Sequence, residues 1–404
     1  MTRTLRALLR TACLAGLSAG LAACAAPRAE NAGGPQPSYA FWPQFPDAPR
    51  IQLIRSFGSS DDLASTRASA LERVVFGKEA DTTEWINKPY GVAMKGGRIY
   101  VCDMRAKALT VLDLRKRQTR LVGVTGMNPL EHPVAVAVAD DGTIYVADNA
   151  KGAVLVYDAS ERYARAIGFP KFKPVSLAVH GERLYACDLA GQAVQVFDRR
   201  DGRRLASIGT VGDGDGQFRV PLGVAADKDG NIYVVDMMQC RVQKFSPDGT
   251  FLSALGAQGD YAGSFARPKH LAVDSAGIIY VVDATFQNVQ MFDDQHRLLM
   301  HFGAPGNFPG AMDLPAGIAV SDEGLDLVEG QVHPGFKPTR LVAVTNQFGH
   351  AKVSLYALGE LRPGFTPQDL APVAARVDPG VETPAAARLR HQTPRGGDPR
   401  LPGA

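Results

Sequence analysis

The stretch that decides the fold is Val220–Gly256, VPLGVAADKDGNIYVVDMMQCRVQKFSPDGTFLSALG. Val224–Ala226 is a short apolar run, and Asp229-Gly230 turns it into Ile232–Val235, which Asp236 ends. Val242–Phe245 alternates as a third run, and Pro247-Asp248-Gly249 turns it into Phe251–Leu255. Period-2 hydrophobics bounded by Asp-Gly turns are the hairpin signal, so the stretch predicts four short antiparallel strands. One such sheet cannot cover both of its faces. It is therefore predicted to be one unit of a repeat.

Five siblings lie on either side. First strands share Pro-x-small-aliphatic-Ala, starting at Pro89, Pro133, Pro174, Pro221, Pro268 and Pro315. Second strands end at Asp103, Asp148, Asp188, Asp236, Asp283 and, degenerately, Asn346; the first four gaps are 45, 40, 48 and 47 residues. The last is longer because Leu325–Arg340 is inserted. Four strands per 40–50 residues is the period of propeller blades. The sixth repeat stops after its third strand, Val353–Tyr356, while an orphan fourth strand with the same ending sits at Ile51–Gly58. Pairing the two removes an open edge. The expected fold is all-β: a six-bladed β-propeller of four-stranded blades over 51–359, with blades at 88–359 and 51–58 as the closing strand. Helical spacing at Asp61–Gly77, with Leu63, Leu71, Val74 and Val75 near one face, predicts a helix over an outer edge.

The ends read differently. Met1–Ala23 (1–23) has Arg3, Arg6 and Arg10 before a short apolar run, the pattern of an export signal. Leu21-Ala22-Ala23-Cys24 resembles the bacterial lipobox, which implies acylation of Cys24, and Ala25 after it points to the outer membrane, facing the periplasm. Residues 24–50, rich in Pro and Ala, are expected to be a tether whose aromatic residues Phe41, Trp42 and Phe45 dock onto the body. Residues 360–404 are expected to be a disordered tail. With 45% hydrophobic and 21% charged residues the chain has ample core, and a net charge of +3 implies no polyanionic partner. Cys102, Cys187 and Cys240 remain after the leader; Cys102 and Cys187 occupy equivalent positions too far apart for a disulfide and read as core residues.

The repeats resemble the NHL family of six-bladed β-propellers over roughly Ile51–Gly359. The closest part is Gly212–Gly256, where Gly212-Asp213-Gly214-Asp215-Gly216-Gln217-Phe218 precedes Val220–Val224 and Tyr233–Asp236 follows. The resemblance implies a fold and a binding face rather than one activity. The Gly-rich run opens a strand and not a helix, so it lacks the geometry of a phosphate loop.

Loops before first strands and after second strands share one face around the channel. The repeated aspartates on that face read as turn residues. The residues that break the pattern are Lys88, His132, Lys173, Arg219, Arg267, Lys269 and His270, the candidate binding residues of the channel and loop face. Cations around a channel mouth suit an acidic ligand or acidic protein surface. Zinc needs three or four converging ligands; at the small-residue position of the first strands only His270 qualifies beside Gly91, Ala135, Ser176, Gly223 and Gly317. No metal ligand set, cofactor or catalytic constellation is therefore assigned. The reading is a monomeric propeller, lipid-anchored in the envelope, that serves as a scaffold or accessory subunit for a protein partner or acidic ligand and takes no nucleic acid. The alternative is a metal-dependent hydrolase or lyase with its site in the channel near His270.

Overall fold

The computed structural model describes residues 39–58, 62–63 and 86–371. Six antiparallel sheets are arranged in a ring. Blade one is Pro89–Lys95, Arg98–Asp103, Ala108–Asp113 and Gln118–Val122; blade two begins at Pro133, blade three at Pro174, blade four at Pro221 and blade five at Pro268. Blade six joins Pro315–Ser321, Phe336–Asn346 and Val353–Leu361 to Ile51–Phe57, so the N-terminal strand completes the last blade as expected. The innermost strands of neighbouring blades touch in cyclic order, and the innermost strand of blade six returns to that of blade one.

The burial pattern explains which strands the sequence announces most clearly. Outer strands such as Phe251–Leu255 and Leu298–Phe302 alternate between covered and open, the period-2 signature of a strand with one wet face. Second strands such as Ile232–Asp236 are buried throughout, because blades pack on both of their faces. Their tyrosines Tyr145, Tyr185, Tyr233 and Tyr280 fill the space between blades, and Cys102 and Cys187 are fully buried free thiols. Small residues are required where inner strands meet. A Cβ on Gly317 would lie 2.3 Å from the Tyr90 carbonyl oxygen, and one on Gly91 would lie 2.6 Å from the Ala135 Cα.

Three sequence expectations meet the structure at different boundaries. The expected tether does not run to residue 50: Phe41–Trp42 adds a fifth strand to blade six, pairing with Ile51–Gln52. Trp42 packs edge-on against Tyr356, and Phe41 against Phe336 and Phe45. The tail begins later than 360. Val353–Leu361 outlasts the expected third strand because the long strand Phe336–Asn346 continues to pair with it, and a short helix, Pro367–Leu370, buries Leu370. The insertion contributes two short 3-10 turns, Leu325–Leu327 and Glu329–Gln331. The buried amide of Gln52 holds it, donating to the Gln331 carbonyl (3.0 Å) and accepting from the His333 N–H (3.0 Å). Apart from Leu63, which is buried, and Asp62, which accepts the Gly58 N–H at 2.7 Å, the helix expected at 61–77 lies outside the described residues, as do Met1–Ala23 and Cys24.

Candidate functional site

The loop-rich face is built by one device repeated around the ring. Each aspartate that ends a second strand is buried and folds its carboxylate under the loop entering its own blade. Asp283 is the fullest case: it accepts from the N–H groups of Ala266 (2.8 Å), Arg267 (3.0 Å), Thr285 (2.8 Å) and Phe286 (3.1 Å). Asp103 does the same for Lys88, Arg105 and Ala106, and Asp148 for Glu131, His132 and Lys151. Asp188 accepts from Lys173, and Asp236 from Arg219 and Val220. In blade six Asn346 replaces the acid, accepting from Asp313 and donating to the Ala351 carbonyl. The aspartates are thus staples. Five of the seven candidate residues (Lys88, His132, Lys173, Arg219 and Arg267) are what the staples hold by the backbone.

Their side chains part company. Lys88, Lys173, Arg219 and Arg267 are exposed, and His132 is partly covered. Arg219 is engaged by both oxygens of Asp213 (2.7 and 2.6 Å), so much of its charge is answered locally. The Gly-rich loop Gly212–Gly216 that carries Asp213 is itself closed onto blade four: the Gln243 side chain accepts from the Gly216 N–H and donates to the Gln217 carbonyl. Its glycines serve a loop between blades, as read from the sequence.

Lys88, Arg267 and Lys269 come together. Lys269 is only 5% exposed, and its Nζ lies 5.6 Å from the centroid of the Tyr90 ring, which belongs to blade one. Burial, followed by the fields of Arg267 and Lys88, lowers its pKa to about 8. Burial also raises the pKa of Tyr90, against the pull of Arg267. Deeper in the channel, Ser176 Oγ accepts the Val224 N–H (3.0 Å) and lies 3.3 Å from His270 Nε2, joining blades three, four and five. His270 Nδ1 is buried, and burial draws the imidazole pKa down to about 4, only partly offset by the backbone of Ile318 and Leu271. Among the described residues no three His, Cys, Asp or Glu side chains converge to hold a metal.

Two features of this face escape a reading of the sequence. Tyr90 faces Lys269 only because the ring brings blades five and one to either side of blade six. The second feature is apolar: Val124, Met127, Val211, Met238, Tyr261, Phe308 and Phe348 are exposed, Met127 almost completely (97%). Six belong to loops of this face, and Val211 to a two-residue strand, Thr210–Val211, within one of its connections. Large apolar residues inside Gly- and Asp-rich loops were the available signal. Two clefts, of about 380 and 450 Å³, lie toward the opposite end and outer rim, beside the insertion and between blades five and six, and neither contains a candidate residue.

Comparison with known proteins places the fold. A family model described as "6-bladed beta-propeller" matches residues 223–296. A structural-genomics protein of unknown function from Bacteroides thetaiotaomicron is similar at 16% identity and a TM-score of 0.52, over 76% of this chain and 75% of that one. Regucalcin, a calcium-binding protein from Agrobacterium tumefaciens, is similar at 14% identity and a TM-score of 0.48, over 70% of this chain and 93% of that one. Virginiamycin B lyase from Staphylococcus aureus is similar at 9% identity and a TM-score of 0.45, over 67% and 95%. By its own strand order, by the family model and by the Bacteroides structure, the chain is a six-bladed β-propeller.

Proposed function

We propose that this chain is an NHL-type binding propeller, anchored through Cys24 in the bacterial outer membrane and facing the periplasm. Its loop-bearing face docks an acidic protein surface, which makes it a scaffold or accessory subunit of an envelope complex, itself a monomer. The observation that carries this reading is the segregation of exposed apolar side chains. Among the described residues, seven of the twelve large exposed hydrophobics lie on the loop-bearing face, whereas Leu121, Leu205, Leu252 and Leu299 are spaced singly on outer strands and Phe365 precedes the C-terminal helix. Apolar anchors ringed by charge are the anatomy of a protein interface. Lys88, Lys173 and Arg267, exposed on the same face, supply the charge and favour an acidic partner.

The alternative, a metal-dependent hydrolase or lyase working in the channel, finds less support. The polar neighbour of His270 is the Ser176 hydroxyl, and a lone imidazole beside a hydroxyl is a poor ligand set for a divalent ion.

Extraction of the full-length protein from its membranes in mild detergent tests the proposal. The wild type is expected to migrate as a stoichiometric complex. A variant with Met127, Tyr261, Phe308 and Phe348 changed to Ser is expected to migrate as a folded monomer, whereas Phe365→Ser keeps the complex. A wild-type protein that runs alone and binds nothing in envelope extracts would sink the reading, as would a loop-face variant that keeps its partner. Cys24→Ser is expected to release the protein into the soluble fraction.

A further inference from the structure

Lys269 is a buried cation that the protein itself does not balance. Its Nζ lies 5.6 Å from the centroid of the Tyr90 ring, and the charges that act on it are two cations, Arg267 and Lys88; among the described residues no carboxylate pairs with it. Covering most of a lone ammonium is costly, and buried charges are ordinarily paired. The backbone explains how it came to be there. Pro268 pairs with Asp283 and His270 with Val282, so Lys269 is the extra residue of a bulge in the innermost strand. Bulges re-aim a side chain and are common beside functional sites. Blades two, three and four carry the same bulge with Val134, Val175 and Leu222 in that place. Of these four blades, only blade five fills it with a charge. The repeat buries this position, as Val134 (6% exposed) and Val175 (8%) show, and it works with an aliphatic residue there, so the charge of Lys269 is not required by the fold.

We propose that this bulge is an oxyanion site: the carboxylate or phosphate of a small solute seats against Lys269 Nζ at the channel mouth, admitted between Lys88 and Arg267 and walled by the Tyr90 ring. The anion supplies the missing countercharge in a place where water competes poorly, and charge-assisted bonds are strongest there. Tyr90 offers its hydroxyl as a neutral donor, since burial keeps the phenol protonated. The two exposed cations draw the solute in. The site shares Lys88 and Arg267 with the protein interface proposed above, but the anion response depends on Lys269 and the complex on the apolar loop residues, so either can fail alone.

Thermal unfolding of the full chain tests it, in an amine–chloride buffer at constant ionic strength, with sodium phosphate, acetate and succinate as probes. The wild type is expected to show a saturable rise in Tm with at least one of them, about 4 °C at a hundredfold excess over Kd. The probe that saturates at the lowest concentration separates a phosphate-bearing solute from a carboxylate. Lys269→Met is expected to be more stable than the wild type without anion and to lose the response. A flat wild type with all three probes, or a Lys269→Met response equal to that of the wild type, overturns the site. Should Lys269→Met fail to fold, NMR of 13C-methylated wild-type protein decides the question. The Lys269 dimethylamine is expected to titrate at higher pH when the saturating anion is present, and an unchanged titration refutes the proposal.

Discussion

Replacing Asp283 by Ala removes the carboxylate that accepts four backbone N–H groups, two from the incoming loop at Ala266 and Arg267 and two from its own turn at Thr285 and Phe286. Asp283 itself is fully buried, whereas Arg267 and Thr285 are exposed enough for water to reach their freed N–H groups. Hydration returns part of the loss, so a net of about 1 kcal/mol per bond is appropriate, giving about 4 kcal/mol in all. That is a large share of the 5–15 kcal/mol typical of a folded domain, roughly speaking. Asp283→Asn keeps one accepting oxygen and turns an amide toward the other donors, so about half the loss is expected. Urea unfolding followed by tyrosine and tryptophan fluorescence measures both, with the slope unchanged and the midpoint lowered. Amide exchange at Ala266 and Arg267 should accelerate before global unfolding does. A loss under about 1 kcal/mol for Asp283→Ala, or an Asn variant as unstable as the Ala variant, would refute the staple argument.

Other expectations follow from single contacts. Gly317→Ala forces a Cβ to within 2.3 Å of the Tyr90 carbonyl oxygen where blades six and one meet, and should cost about 3 kcal/mol in urea unfolding; a neutral result would mean the inner strands part easily. Trp42→Ala removes a nearly buried ring that lies on Tyr356 and should lower stability by about 3 kcal/mol, with exchange rising first along Val353–Leu358. Burial drives the thiol pKa of Cys102 and Cys187 upward, so a thiol reagent should reach neither until the protein unfolds; early labelling of either contradicts the blade packing. His270 stays neutral in the folded state down to about pH 4, whereas the unfolded imidazole titrates near 6.5. The unfolded state therefore binds the extra proton between those values, and the stabilising contribution is complete above pH 6.5 and lost as pH falls toward 4. Unfolding midpoints from pH 7 to 4 should show a shallower decline for His270→Gln than for the wild type, and parallel curves would contradict this.

The fold was largely legible because each blade declares itself twice, by its opening proline and by the residue that ends its second strand. The missing fourth strand of blade six was recoverable because Phe57-Gly58 repeats the ending of Phe302-Gly303. What stayed hidden was set by three-dimensional closure. Nothing local marks Lys269 as a bulge residue facing Tyr90, since that contact depends on the ring angle between non-adjacent blades. Arg219 shows the reverse: its partner Asp213 lies only six residues back, and the bidentate pair that occupies its charge was within reach of the sequence. The apolar residues of the loop face carried no periodicity because they stand singly or, as Val124 and Met127 do, three apart in an irregular loop.

The closing strand also sets an order of events. Ser56 and Ser354 face each other at 3.2 Å, although 298 positions separate them in the chain. During synthesis, or during passage through a membrane from the N-terminus, the strand Ile51–Phe57 emerges before any blade and waits unmatched until Val353–Leu361 has followed. Five blades can form in that interval, each from neighbouring residues. The sixth cannot, and the last step of folding is the capture of the first-made strand by the last-made blade, a loop closure spanning nearly the whole domain. A chain that stalls before residue 353 therefore carries five blades, an uncovered blade face at each end of the arc and an unmatched strand, Ile51–Phe57, a template for pairing with other copies rather than a smaller propeller.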